Sequence, residues 1–235
     1  LLMGLAVLAV PIVLFLVFAA IVGRRYHKIQ GASRAVAEWA PSHEPARMIG
    51  KLSTRTHGNL EAPTAIIALH GLASSGAYYG ENWAALAGDD TSLIVPDLLG
   101  FGDSIDRKRT ADEHSIEHHV AAITETIDTA APHAEQLHIV AHSFGTIIAL
   151  AYAREVLDRV ASVTLISPPL HDSREDAERY IVARGRVTAL FAVDRLSARI
   201  ARAILCSRPI FARTVTRLAA PAMPNELARR THMHS

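Results

Sequence analysis

Ser143 stands at the centre of "AHSFG", Ala141 to Gly145, where the β-branched run "LHIVAH" gives way to the helix-forming run "FGTIIALAYA". A serine at a tight strand-to-helix turn can act as a nucleophile. The turn lifts its hydroxyl above the end of a sheet, and the helix start beneath it offers backbone N–H groups to a developing oxyanion. Its neighbours must be small because strand and helix pass close together. The usual pattern is G-x-S-x-G, and here Ala141 replaces the first glycine. The same pentapeptide also suits an ordinary serine N-cap at a helix start. His142 is read as the variable position of the turn and not as a base, since adjacent side chains on a sharp turn point apart.

Two further stretches bear on the choice. "LHGLASSG" places His70 and Gly71 directly after the short apolar run "TAIIA", and "PDLLGFGDS" follows the next such run, "SLIV". In this order and at these intervals the three motifs resemble the α/β-hydrolase superfamily, in particular its lid-bearing esterases, lipases and carbon–carbon bond hydrolases. The resemblance covers Met48 to Pro169 and extends more loosely into the residues that follow. It implies that Ser143 is the nucleophile and that the backbone N–H groups of Leu72 and Phe144 form an oxyanion hole. His70, Gly71, Ala141, His142 and Gly145 are the accompanying motif positions. A serine at this place argues against the superfamily's haloalkane dehalogenases and epoxide hydrolases, which use aspartate there. The implied chemistry is attack by an activated oxygen, a tetrahedral anion held by two N–H groups, and hydrolysis of an acyl-enzyme.

Such a serine needs a base, and the base an orienting acid. In the superfamily these follow strands beyond the lid, and no such strands are legible here. The triad acid and base are therefore unassigned. Asp172, Asp194, His232 and His234 are the substitutes available, and none follows a strand in the expected way. The chain is expected to be a piece of a longer protein. The alternative reading is a non-catalytic binding protein of the same fold, and a third is a different reaction, carbon–carbon cleavage or acyl transfer, at the same serine.

The elements that must position these residues follow from periodicity. Short apolar runs at Thr64–His70 and Ser92–Asp97 read as buried strands, and Leu137–His142, Ala161–Pro169 and Met48–Thr56 as further strands, with Gly58-Asn59 as a turn. Helical spacing covers 78–87, 115–130 through Ile116, Val120, Ile123 and Ile127, and 143 to about 157. Strands alternating with helices imply an α/β fold with a mainly parallel sheet flanked by helices. From 170 to 235 the spacing stays helical and predicts a lid, so the core runs 47–169 and the lid or cap 170–235.

Leu1 to Gly23 carries no charge and is long enough to cross a bilayer, with Arg24, Arg25 and Lys28 following at once. It is read as a single-pass transmembrane anchor, 1–23, ahead of a connector, 24–46. A cleaved signal and a buried helix are the other readings. The flanking cations place the domain on the cytoplasmic side. The membrane is thus one expected partner and a small-molecule or lipid ester the other.

Net charge is +1, and no nucleic-acid partner is expected. From His171 onward there are twelve Arg, six acidic residues and no Lys, a basic stretch after an acidic body, which suits a solvated helical surface or a face toward anionic lipid. One cysteine, Cys206, excludes an internal disulfide framework. "HSIEH", His114 to His118, matches a permissive zinc pattern without a third ligand and is read as a solvated helix surface; His119 does not alter this. No metal or cofactor is expected: "GFG" at Gly100 to Gly102 lacks the spacing of a dinucleotide fingerprint. Trp39 and Trp83 are read as packing or membrane-edge residues, and Tyr78 and Tyr79 as cleft, core or surface residues.

Overall fold

The computed structural model describes residues 40–105, except 41 and 73, and residues 114–183. The apolar segment 1–23, residues 24–39 of the connector and the cap beyond residue 183 lie outside them, as do Trp39, Asp194, Cys206, His232 and His234. Among the described residues no helix is long and apolar enough to cross a membrane.

One sheet organises the chain, with strands β1 (Arg47–Ile49), β2 (Leu52–Gly58), β3 (Thr64–Leu69), β4 (Thr91–Pro96), β5 (Gln136–His142) and β6 (Val160–Ile166). Their spatial order is β1-β2-β4-β3-β5-β6. The pairs β3–β4, β3–β5 and β5–β6 are parallel, while β2 runs antiparallel to β1 and to β4. The single strand expected over Met48–Thr56 is therefore a hairpin. Gly50 takes a left-handed φ of 57° and turns the chain there. The apolar runs of β3 and β4 are what strands buried on both faces require, with Ile67, Leu69, Leu93 and Ile94 fully buried, whereas β5 buries Leu137, Ile139 and Ala141 on one face.

Helices α1 (Ile116–Ala130), α2 (Phe144–Glu155) and α3 (Arg174–Ala183) follow β4, β5 and β6 in turn. Helix α1 is capped by Ser115, whose Oγ accepts the His118 N–H. Its buried residues Ala122, Ile123, Ile127 and Ala130 recur at helical spacing, so one apolar stripe meets the sheet. There they join Leu69, Leu137, Ile139 and, from α2, Ile148, Ala149 and Tyr152 in the main core. Helix α3 is exposed and charged, with Arg174 paired to Glu178 one turn on. The helix expected over 78–87 is instead two short 3-10 turns, Gly76–Tyr78 and Glu81–Leu86. Gly80, at a φ of 66°, separates them. Tyr79 and Trp83 pack edge to face at 4.6 Å in a second small cluster with Ala68, Leu93 and Val95, so Trp83 is a packing residue.

The topology sets the site. The chain leaves β3 toward β4 on one side and returns to β5 on the other, so the order of strands reverses at β3. In open α/β sheets the crevice at the carboxyl ends of strands flanking such a reversal is where ligands bind. Leu69 pairs with Ala141 at that edge. The loop that begins at His70 therefore lies beside the turn that carries Ser143.

Candidate active site

Ser143 links β5 to α2 with φ 51° and ψ −120°, a conformation L side chains rarely adopt. The strain is held from both sides. Its N–H donates to the Ile166 carbonyl at 2.9 Å, and its own carbonyl accepts the Thr146 N–H at 3.0 Å and the Thr146 hydroxyl at 2.6 Å. The side chain makes no capping bond, so the ordinary N-cap reading does not describe it. Half-buried Ser143 and Phe144 stand at the mouth of the crevice, and Phe144 is the first residue of α2, where an N–H has no partner within the helix.

The two small positions of the pentapeptide do different work. A β-carbon on Gly145 would stand 2.5 Å from the His70 carbonyl oxygen and 2.7 Å from that of Leu69. Here α2 passes directly over the end of β3, and only glycine fits. Ala141 instead points into the main core and is fully buried there, where its methyl group is packed. That is why the departure from G-x-S-x-G falls at 141 and not at 145.

Gly71 closes the approach from the other side. A β-carbon there would lie 3.0 Å from His142 Nδ1 and 3.1 Å from Ser143 Cβ. Leu72, next along, is two-thirds exposed at the lip of the crevice. His142 is half-buried, and its imidazole stacks on the Tyr78 ring at 5.3 Å and 15°. Burial holds His142 below the usual histidine range. Tyr79 is buried, and its hydroxyl donates to the Leu69 carbonyl at 2.6 Å.

His70 is fully buried and joins two loops. Its Nε2 accepts the Leu98 N–H at 2.9 Å, which leaves the proton on Nδ1 to be donated to the Gly71 carbonyl at 2.8 Å. Burial lowers its pKa to about 4, so the ring is neutral at ordinary pH. It is an anchor of the loop and not a proton carrier. Asp97 plays the matching part below, and sequence reasoning passed over it inside the "PDLLGFGDS" motif. Its carboxylate accepts the Gly76 N–H at 2.6 Å and the Asp103 N–H at 2.8 Å, and Arg55 stands 3.7 Å away. Burial raises its pKa despite these donors and the Arg55 charge. Nothing but an isolated acidic residue in a glycine-bearing loop signalled it.

The remaining candidates separate. Asp172 is exposed after β6. His118 is exposed at the start of α1, in keeping with a solvated surface, but His119 is buried against the Phe144 ring at 5.8 Å, so the "HSIEH" helix turns toward the elbow. Among the described residues no cluster of His, Cys, Asp or Glu could hold a metal ion. A His171–Asp176 pair at 3.5 Å lies at the start of α3. Among the described residues no imidazole is hydrogen-bonded to the Ser143 hydroxyl.

The family model described as the alpha/beta hydrolase fold matches residues 64–195. "Probable lysophospholipase BODYGUARD 4" of Arabidopsis thaliana is 33% identical over 129 residues, 54% of this chain and 30% of that protein. "Probable lysophospholipase BODYGUARD 5" of the same plant is 33% identical over 109 residues, 44% of this chain and 24% of that protein. The chain thus spans about a quarter to a third of the length of the curated relatives it matches. An esterase of M. tuberculosis superposes with a TM-score of 0.55 at 21% identity, over 89% of this chain and 65% of the other, a likeness of fold.

Proposed function

The chain belongs to the family of proteins with the alpha/beta hydrolase fold, and on that footing we propose that it carries the nucleophile half of a membrane-anchored serine hydrolase acting on esters, lipid esters among them. The observation that carries the reading is Ser143 itself, held at a left-handed φ where β5 meets α2, with Gly71 packed against it. Strain of this kind persists where the surroundings over-determine it, and it clusters at reacting groups. The mechanism has two stages. The Ser143 oxygen attacks the ester carbonyl carbon, and the displaced electron pair moves to the carbonyl oxygen between the Leu72 and Phe144 N–H groups. Collapse of this anion expels the alkoxide, which takes up the proton that the Ser143 hydroxyl gave up on attack and leaves as the alcohol. Water then attacks the acyl-enzyme, releases the carboxylic acid and restores the serine.

The relatives named as lysophospholipases, the apolar 1–23 segment and the basic stretch after His171 support a lipid ester and a lid over 170–235 that opens at a membrane. The same segment supports a single-pass anchor, with the domain on the cytoplasmic side. Fluorophosphonate labelling of the full natural protein tests the reaction. Labelling that vanishes in Ser143→Ala supports it, and no labelling of the folded parent overturns it. Loss of carbonate-resistant membrane association on deletion of residues 1–23 tests the anchor.

A second reading has an observation of its own. No acid–base pair is bonded to the Ser143 hydroxyl among the described residues, as a non-catalytic binding protein of this fold would have it. Turnover of p-nitrophenyl esters by the full protein decides against that reading. Product analysis separates ester hydrolysis from carbon–carbon cleavage or acyl transfer at the same serine.

A further inference from the structure

We infer that Tyr78 is a positioning residue that acts through His142 to hold the Leu72 amide in place opposite the Phe144 amide; this rests on the hydrolase reading above. The contacts form one line. The Tyr78 ring lies nearly parallel to the His142 imidazole, 15° apart with centroids at 5.3 Å. His142 stands next to Ser143, and its Nδ1 would be 3.0 Å from a β-carbon on Gly71, so the imidazole and the Gly71 backbone are packed with no room between them. Gly71 in turn precedes Leu72. A shift of the His142 ring therefore removes one of the two side chains against which Gly71 is seated, the other being Ser143.

Tyr78 can brace that ring because it is itself fixed on both sides. It ends the 3-10 turn Gly76–Tyr78, whose first amide is bound to the buried Asp97 carboxylate at 2.6 Å. Its successor Tyr79 is bound through its hydroxyl to the Leu69 carbonyl at 2.6 Å, at the very end of β3. The brace thus spans from the carboxyl end of β4 to the carboxyl end of β3. Stacking of two neutral rings is sensitive to the loss of the aromatic face and insensitive to the hydroxyl, and burial keeps His142 neutral. Oxyanion donors act only when they point at the position the developing charge will occupy. A misplaced Leu72 amide therefore slows the chemical step while leaving ground-state binding alone.

The test uses the full natural protein with p-nitrophenyl butyrate as substrate and an alkyl trifluoromethyl ketone, which forms a stable tetrahedral anion, as inhibitor. In Tyr78→Leu, kcat falls about ten-fold, KM is unchanged, and inhibition by the ketone weakens by the same factor. Tyr78→Phe, which keeps the ring, restores both. His142→Ala removes the other half of the stack and reproduces the Tyr78→Leu losses, which keeps the inference testable if Tyr78→Leu does not fold. An unchanged kcat in Tyr78→Leu, or a Tyr78→Phe protein as impaired as Tyr78→Leu, overturns the inference. So does a loss of kcat with undiminished ketone binding. If the parent protein neither hydrolyses the ester nor reacts with fluorophosphonate, the hydrolase reading falls and this inference with it. If the parent does both and Tyr78→Leu matches it, the inference alone falls.

Discussion

The Gly145 α-carbon and the His70 carbonyl are so close that a β-carbon at 145 would stand 2.5 Å from that oxygen. The first turn of α2 and the start of the loop after β3 are thereby locked together through backbone alone. Gly145→Ala is expected to destabilise the protein by about 1–3 kcal/mol, because neither carbonyl can move without disturbing the sheet. Gly88→Ala is the control: nothing lies within 4 Å of its β-carbon position, and its φ is not left-handed. Thermal unfolding of both variants should show a clear drop for the first and a change under about 1 kcal/mol for the second.

Ser143→Gly is expected to stabilise the fold while abolishing fluorophosphonate labelling. The residue sits at φ 51°, where glycine carries no steric penalty, and relief of such strain is worth about 1–2 kcal/mol. A rise in Tm for Ser143→Gly relative to Ser143→Ala checks this, since alanine removes the hydroxyl but keeps the strained β-carbon. Equal Tm values would mean that the turn is relaxed.

His70→Leu is expected to cost about 1–3 kcal/mol, because the buried Leu98 N–H loses its acceptor and the Gly71 carbonyl its donor. Nitrogen chemical shifts of the parent should place the His70 proton on Nδ1 and leave Nε2 bare. A proton on Nε2 would contradict the hydrogen bond from Leu98.

Acid is expected to weaken the fold well above the carboxylate range. His70 and His119 are buried, and burial lowers each pKa from 6.5 to about 4. Above pH 6.5 both are neutral in the folded and unfolded chains. Between 6.5 and about 4 the unfolded chain binds protons that the folded chain refuses, so stability falls as pH falls through that window. Asp97 works in the opposite sense, because its folded pKa is raised and the folded chain takes its proton first. Its single proton offsets part of what the two histidines lose. The urea midpoint should therefore fall from pH 7 to pH 5, and fall less in His119→Phe. A midpoint that is flat over this range would show that the two rings are solvated.

Most of the parallel sheet is legible in the sequence because β3 and β4 are buried almost throughout and written largely in apolar residues, while β5 alternates, burying Leu137, Ile139 and Ala141 on one face. The elbow is legible for a different reason: a strand, a small-residue turn and a helix follow one another without a break. The β1–β2 hairpin is not, because Gly50 can be read as a loose residue within one strand until its left-handed φ of 57° is seen. The segment 76–86 misleads because Tyr78, Tyr79 and Trp83 have nearly helical spacing, whereas each is placed by a different contact. Asp97 and His119 are illegible for the same underlying reason. A buried polar side chain is recognised by its partners, and those come from elsewhere in the chain.

His70 gives the Leu98 amide an acceptor inside the protein although Leu98 belongs to no helix or strand. An amide in a loop ordinarily exchanges its hydrogen with solvent through small local openings. This one is released only when the imidazole withdraws, and the imidazole is itself tied to the carbonyl of Gly71, its neighbour in the chain and a close contact of Ser143. The Leu98 amide should therefore exchange at the pace of the sheet, so that its deuterium uptake reports, from a loop, whether the rim around Ser143 is intact.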